Sequence, residues 1–118
     1  MKDNVILCKS MDFAVRVVNL YKYLSDEKKE YIMSKQLLRC GTSVGANAHE
    51  AVNGQSAKDF ISKMHISLKE VGETEYWLTL LTRTNYLDAE QSQSIIYDCI
   101  ELKRILTAII KTTKAKID

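Results

Sequence analysis

The sequence predicts an all-α protein, an antiparallel up-down-up-down four-helix bundle. The chain has only 4 glycines and no proline, whereas sheet proteins with many turns usually need more of both. Apolar residues recur at helical spacing along nearly the whole chain, in four segments that are separated by short polar breaks. Because short connections place consecutive helices side by side in opposite directions, these segments predict a bundle.

Length and composition indicate a soluble globular protein. A chain of 118 residues, 46% hydrophobic and 27% charged, can bury one core, so residues 1–118 are expected to form a single four-helix-bundle domain. The longest stretch without a charged residue or histidine, residues 40–48, is half polar and too short to span a bilayer. The apolar run at residues 5–8 is too short for a signal peptide. We therefore expect a cytoplasmic protein with no membrane partner.

The charge balance and the cysteines argue against several kinds of function. A formal net charge of +2 argues against a strongly cationic nucleic-acid binder but leaves room for a local basic patch. Cys8, Cys40 and Cys99 form no C-x-x-C pair, so neither a disulfide framework nor a zinc site is indicated. His49 and His65 fall in no metal-binding pattern. The sequence therefore predicts no metal and no cofactor.

Local signals set the expected bounds of the four helices. Ser10 is a candidate N-cap for the first helix, and Gly54 a candidate left-handed residue after the second. The segment Ser56–Asp59 has the pattern of a capping box that opens the third helix, and Asp88–Gln91 caps the fourth. The expected helices cover about residues 10–24, 28–53, 57–84 and 89–115.

The third and fourth helices can be aligned by assuming a tight turn at residues 86–87. Apolar residues then face each other in three pairs along the two helices. These pairs are Leu78 with Ile95, Val71 with Leu102, and Met64 with Ile109.

A polar stripe follows one side of the second helix. Its members are spaced by three or four residues and therefore share one face; they are Arg39, Ser43, Asn47 and Glu50. The same alignment argument predicts an ion pair between Arg39 and Glu70 of the third helix, with Glu73 as a substitute partner. This pattern favours a structural function that fixes helix register, and the alternative is a binding or catalytic role.

Two glycines and one glutamate stand where other residues are expected. Gly41 and Gly45 lie one turn apart inside the second helix, where each costs about 1 kcal/mol relative to alanine, so we expect a close approach by a neighbouring helix. Glu75 lies on the apolar stripe of the third helix. It is either a residue at the edge of the core or in a subunit contact, or a buried carboxylate poised for proton transfer.

The fourth helix has more apolar residues than one core-facing stripe requires. The surplus predicts a self-association surface, and the alternative is isolated exposed side chains on a monomer. The predicted contact residues are Ile96, Ile100, Ile105 and Ile110.

The carboxyl-terminal half of the fourth helix is rich in cations. They either complement the helix dipole in solvent or form a patch that contacts phosphate groups of RNA or DNA. The residues are Lys103, Arg104, Lys111, Lys114 and Lys116. The six tyrosines and Trp77 suit either base stacking or helix packing.

Several segments together resemble one bacterial family. They are residues 36–50, which read QLLRCGTSVGANAHE, together with 58–60, 67–70 and 74–78. The sequence is similar over nearly its whole length to the four-helix-bundle proteins encoded in intervening sequences of 23S rRNA genes, also labelled S23. The resemblance implies an up-down bundle that assembles into a ring-like homopentamer. It also implies a relation to the accessory variability protein of diversity-generating retroelements, which binds nucleic acid and a reverse transcriptase.

Three functions remain open at this stage. The first is a non-enzymatic, homo-oligomeric module for binding or assembly that associates with RNA or DNA. The second is a protein scaffold without affinity for nucleic acid, whose protein partner docks on the oligomer. The third is an enzyme that uses buried carboxylates such as Glu70 and Glu75.

Overall fold

A computed structural model describes residues 2–117, and their side chains from residue 5 onward. These residues form four helices and no strand: α1 (Lys2–Asp26), α2 (Met33–Val52), α3 (Ala57–Arg83) and α4 (Ala89–Ile117). Each helix packs against the next, and α4 packs against α1, which closes the bundle. The described part measures 48 × 21 × 19 Å. The predicted fold class, a four-helix bundle, is confirmed.

The first helix begins earlier than the sequence indicated. Ser10 is not an N-cap but a buried residue inside α1, where its hydroxyl group donates to the carbonyl oxygen of Leu7 at 3.3 Å. The core stripe of α1 continues toward the amino terminus, since Ile6 lies seven residues before Phe13 and both are buried. Two turns of the helix before the expected start are therefore held by the same core.

The second helix begins later than expected, because Glu30 caps it from the preceding loop. The Glu30 carboxylate accepts hydrogen bonds from the backbone amides of Ile32, Met33 and Ser34 at 3.2, 3.0 and 2.7 Å. Lys29 adopts a left-handed backbone conformation, with φ of 55°, that turns the chain toward the bundle. An acidic side chain at this end also matches the helix dipole.

The remaining helix ends agree in part with the predicted caps. The Ser56 hydroxyl accepts from the Asp59 amide at 3.1 Å. Asp88 and Gln91 form a reciprocal box: each side chain accepts from the other residue's amide, at 2.7 and 3.0 Å. The expectation for Gly54 was wrong, because its φ is not positive. Its amide instead donates to the Ala51 carbonyl oxygen at 3.0 Å.

The core runs along the bundle axis. All six residues of the aligned pairs between α3 and α4 are buried in it. Two ion pairs join α4 to α1: Arg16 to Asp98 at 2.6 Å and Lys9 to Glu101 at 3.2 Å. The two glycines inside α2 face α1, as the expected close approach requires. A Cβ atom on Gly45 would lie 3.4 Å from the Ser10 carbonyl oxygen, and one on Gly41 only 2.7 Å from Val17.

Candidate functional site

The polar stripe of α2 faces α3, and together they form a polar seam, defined here by Arg39, Ser43, Asn47 and Glu50 with Glu70 and Glu73. The Arg39 guanidinium lies 3.5 Å from Glu70 and contacts Glu73 more closely. Glu70 is the more enclosed partner, with 15% of its side chain exposed against 49% for Arg39. Arg39 therefore binds both of the carboxylates that the sequence offered as partners.

The other members of the polar seam mostly bond to their own helix. Ser43 donates to the Arg39 carbonyl oxygen at 2.6 Å, and Asn47 donates to the Ser43 carbonyl oxygen at 2.8 Å. Glu50 pairs with Lys63 of α3 at 3.7 Å. Because Arg39 and Glu50 both pair with residues of α3, the polar seam acts mainly as a connection between α2 and α3.

Buried hydroxyl groups below the polar seam form a second connection, which was not predicted from the sequence. Ser67 donates to the Val44 carbonyl oxygen of α2 at 2.7 Å. The Thr74 hydroxyl lies 2.7 Å from the Glu70 carbonyl oxygen and 3.3 Å from the sulfur of Cys40. Ser67 and Thr74 are seven residues apart, at core positions, and that spacing of small polar residues was the available signal.

Replacing Arg39 with leucine tests the polar seam. Glu70 would keep its enclosed carboxylate without the cation, so we expect the free energy of unfolding to fall by about 1–2 kcal/mol. Glu50→Gln, which removes the exposed pair with Lys63, should cost less than about 0.5 kcal/mol. Urea denaturation followed by circular dichroism measures both. Equal effects of the two changes would contradict the structural importance assigned to Arg39.

The two buried thiols are weak acids. Burial, together with the nearby charge of Glu75, raises the pKa of Cys99 to about 12. Burial also raises the pKa of Cys40, although the hydrogen bond from Thr74 acts to lower it. Both thiols therefore stay protonated near neutral pH, a form in which cysteine is a poor nucleophile and a poor metal ligand. Cys8 is exposed on α1.

Glu75 lies where α3 and α4 meet, at the edge of the core. One of its oxygens is shielded from solvent and contacts the Lys103 ammonium group. Lys103 is half-buried and forms an ion pair with Glu75. The other four predicted cations are exposed; they are Arg104, Lys111, Lys114 and Lys116. Lys103, Arg104 and Lys111 also line a shallow depression of about 440 Å³.

The four isoleucines predicted as oligomer contacts differ in exposure. Ile110 is buried in the core of the single chain, because α4 turns that residue inward, so it is unavailable to a second copy. Ile96 and Ile105 are half-buried and pack against the core. Ile100 is 44% exposed.

Another apolar surface lies on the other side of the bundle, where α1 and α2 meet. We call it the α1–α2 face and define it by Met11, Ala14, Val15, Val18, Thr42 and Ala46. Met11 and Val15 are each 53% exposed, and the groove between the helices has a volume of about 300 Å³. This surface was not predicted from the sequence, although the spacing of Met11, Val15 and Val18 was a signal for it.

Among residues 5–117, no group of three or more His, Cys, Asp and Glu side chains is arranged to hold a metal ion. None of the helices of the described chain is both long enough and apolar enough to cross a membrane.

The fold and these surfaces define a small helical-bundle protein whose polar side chains chiefly join its helices. The chain belongs to the 23S rRNA-intervening sequence protein family, whose model matches residues 2–108. It is also similar to a solved structure from Bacteroides thetaiotaomicron VPI-5482, described as a protein of unknown function from the S23 ribosomal protein family. The two are 58% identical, with a TM-score of 0.93, over 94% of this chain and 99% of that one. No curated protein matches the chain.

Proposed function

We propose that this protein is a non-enzymatic module that assembles from copies of itself and presents the assembly to a binding partner. The observation that carries this proposal is the α1–α2 face. Its outward residues from Met11 to Val18 include three large apolar side chains, of which two are more than half exposed. Contiguous exposed apolar surface of this kind is typical of an interaction site.

A second copy of the chain is the partner we assign to the α1–α2 face. The six residues that define the face include no charged side chain, and depletion of charge is typical of the centre of a subunit interface. Fully burying a valine or methionine side chain contributes about 1.5–3 kcal/mol. Covering the exposed halves of Met11 and Val15 on both copies therefore contributes several kcal/mol, and the groove beside Ala14 and Ala46 leaves space for a neighbouring side chain.

The chemistry of the polar groups supports binding rather than catalysis. Arg39 forms ion pairs with Glu70 and Glu73. Glu75 forms an ion pair with Lys103. The buried thiols are protonated at neutral pH. A catalytic constellation needs convergent groups that are free to act on a substrate.

The three free cysteines suit a reducing compartment, and we infer a cytoplasmic location.

The double change Met11→Glu/Val15→Glu tests the association surface. Four added carboxylates in a symmetric dimer contact, or two in a contact between unlike faces, would have to be desolvated, so we expect at least a tenfold weaker self-association. Ser62→Glu/Lys63→Gln, at exposed and half-exposed positions of α3, serves as the control and should leave association unchanged. Sedimentation velocity over a range of protein concentrations measures both.

The same measurement on Ile100→Glu tests the alternative surface on α4. If Ile100→Glu dissociates the assembly while Met11→Glu/Val15→Glu does not, the contact lies on α4 and the assignment of the α1–α2 face is wrong. If neither variant changes the mass, self-association through either of these two surfaces is contradicted.

Nucleic-acid binding is a second candidate function, favoured by the exposed cations of α4. Arg104 and Lys111 lie two turns apart beside a shallow depression, and neither forms an ion pair within the described residues. Several copies in one assembly would multiply this charge. A scaffold that binds only proteins would show no affinity for RNA or DNA at any salt concentration.

A further inference from the structure

We infer that the outward side of α3 and α4 is a binding face for single-stranded nucleic acid; this inference rests on the second candidate function and names its ligand and its site. Two stripes of residues at heptad spacing define this α3–α4 face. On α3 they are positions 58, 65, 69, 72, 76, 79 and 83, and on α4 they are positions 93, 97, 100, 104, 107, 111 and 114.

Charge is strongly segregated onto the α3–α4 face. Six of its fourteen residues are lysine or arginine, and none is aspartate or glutamate. The six are Lys58, Lys69, Arg83, Arg104, Lys111 and Lys114. Since the net charge of the whole chain is only +2, the overall composition conceals this basic face. The cations of α3 extend the basic region of α4 across the helix boundary.

The six cations are available for a ligand. Within the described residues, none of them forms an ion pair with a carboxylate, and all six are exposed. The Glu75–Lys103 pair lies between the two stripes, where it joins α3 to α4. A row of unpaired cations along two parallel helix surfaces suits a polyanion with regularly spaced phosphates.

Two exposed tyrosines on the same face favour a single strand over a duplex. Tyr76 is 59% exposed and Tyr97 is 72% exposed. The ring of Tyr76 is held by an edge-to-face contact with Trp77, with ring centroids 5.1 Å apart, and the Trp77 indole donates to Glu73 at 3.1 Å. Tyr76 is therefore a preorganised platform beside a row of cations. Bases of a single strand can stack on such a ring, whereas a duplex keeps its base faces paired and stacked.

Fluorescence anisotropy with labelled 20-nucleotide oligo-dT and oligo-U, and with a 20-base-pair duplex, tests the inference. We expect both single strands to bind more tightly than the duplex. If four to six phosphates are neutralised, the slope of log K against log salt concentration for a single strand should be about −3 to −4. The wild-type chain is measured from 25 to 300 mM KCl, and circular dichroism checks the folding of each variant.

Three variants separate the charge of the face from its aromatic platform. Lys69→Gln/Arg104→Gln should reduce the magnitude of the salt slope by about 1.4. Tyr76→Ala should weaken single-strand binding about 5- to 100-fold while leaving the slope unchanged. Lys22→Gln/Lys35→Gln removes the same charge from exposed positions of α1 and α2 and should change neither quantity by more than about twofold.

The contrary outcomes separate nucleic-acid binding, single-strand recognition and the position of the binding face. If the wild-type chain binds no nucleic acid at 25 mM salt, both this inference and the second candidate function are wrong, while self-association, measured without nucleic acid, is unaffected. If the duplex binds as tightly as the single strands, or Tyr76→Ala has no effect, single-strand recognition is wrong although nucleic-acid binding stands. If Lys69→Gln/Arg104→Gln and Lys22→Gln/Lys35→Gln weaken nucleic-acid binding equally, the assignment of binding to the α3–α4 face is wrong.

Discussion

Replacing Gly41 with alanine is expected to lower the free energy of unfolding by up to about 2 kcal/mol, because overpacking a core usually costs about 1–3 kcal/mol. A Cβ atom at this position would lie 2.7 Å from both γ-carbons of Val17, which is itself fully buried. Rotation of the valine side chain cannot relieve the overlap, because at least one γ-carbon stays close in every staggered rotamer. The better helix propensity of alanine, about 1 kcal/mol, offsets only part of this cost.

Gly72 provides a matched control in the next helix. A Cβ atom there would have no neighbour within 4 Å, so Gly72→Ala should raise the free energy of unfolding by about 0.5–1 kcal/mol. The two glycine-to-alanine changes are therefore expected to have opposite signs in urea denaturation. A Gly41→Ala variant as stable as the wild type would contradict the packing of α1 against α2. The same packing would be contradicted if the changes in unfolding free energy caused by Gly41→Ala and Val17→Ala were simply additive in the double variant.

Replacing Glu30 with alanine is expected to lower the free energy of unfolding by about 2–3 kcal/mol. Glu30 is 7% exposed, and its carboxylate accepts from three backbone amides at the start of α2. Hydrogen bonds to a charged group contribute more than neutral ones, and buried amides left unpaired are costly. Glu27→Ala, at an exposed position of the same loop, should change the stability by less than about 0.5 kcal/mol.

The same carboxylate makes the stability depend on pH. Burial acts to raise the pKa of Glu30, but the hydrogen bonds from the amides of Ser34, Met33 and Ile32 outweigh it and hold the pKa below the usual value of 4.5. A lowered pKa in the folded state stabilises the protein above the unfolded-state pKa, and this stabilisation is lost as the pH falls through the folded-state pKa.

The stability difference between the wild type and Glu30→Gln should therefore shrink as the pH is lowered from 6.5 to below about 4.5. Urea midpoints measured at several pH values test this, and the comparison with Glu30→Gln removes the contribution of other carboxylates. A difference that stays constant or grows at acidic pH would show that Glu30 does not bind the helix start as an anion.

Local signals predicted much of the fold, and non-local ones account for the errors. The Asp88–Gln91 box lies within four residues of sequence, so its pattern specifies the start of α4 directly. The start of α2 depends instead on a left-handed Lys29 that directs Glu30 back onto the helix, and no short motif specifies that turn. Ser10 resembled a cap only because the apolar stripe that continues through Ile6 was not recognised.

The surface sites were predictable to different degrees. The Arg39 ion pairs followed from helix alignment alone, because both partners lie on faces that must meet. The α1–α2 face depends on which side of α1 turns outward, and this orientation is set by the packing of all four helices. The α3–α4 face combines residues of two helices, so the cations of α4 suggested only half of it.

Native mass spectrometry of the wild-type chain, without nucleic acid and at near-physiological salt, shows whether the bundle assembles from several copies. We expect a single closed assembly of several chains, which Met11→Glu/Val15→Glu converts to a species of about 13.5 kDa. A wild-type chain that remains at the monomer mass at micromolar concentrations would contradict the claim that this bundle functions as an assembly.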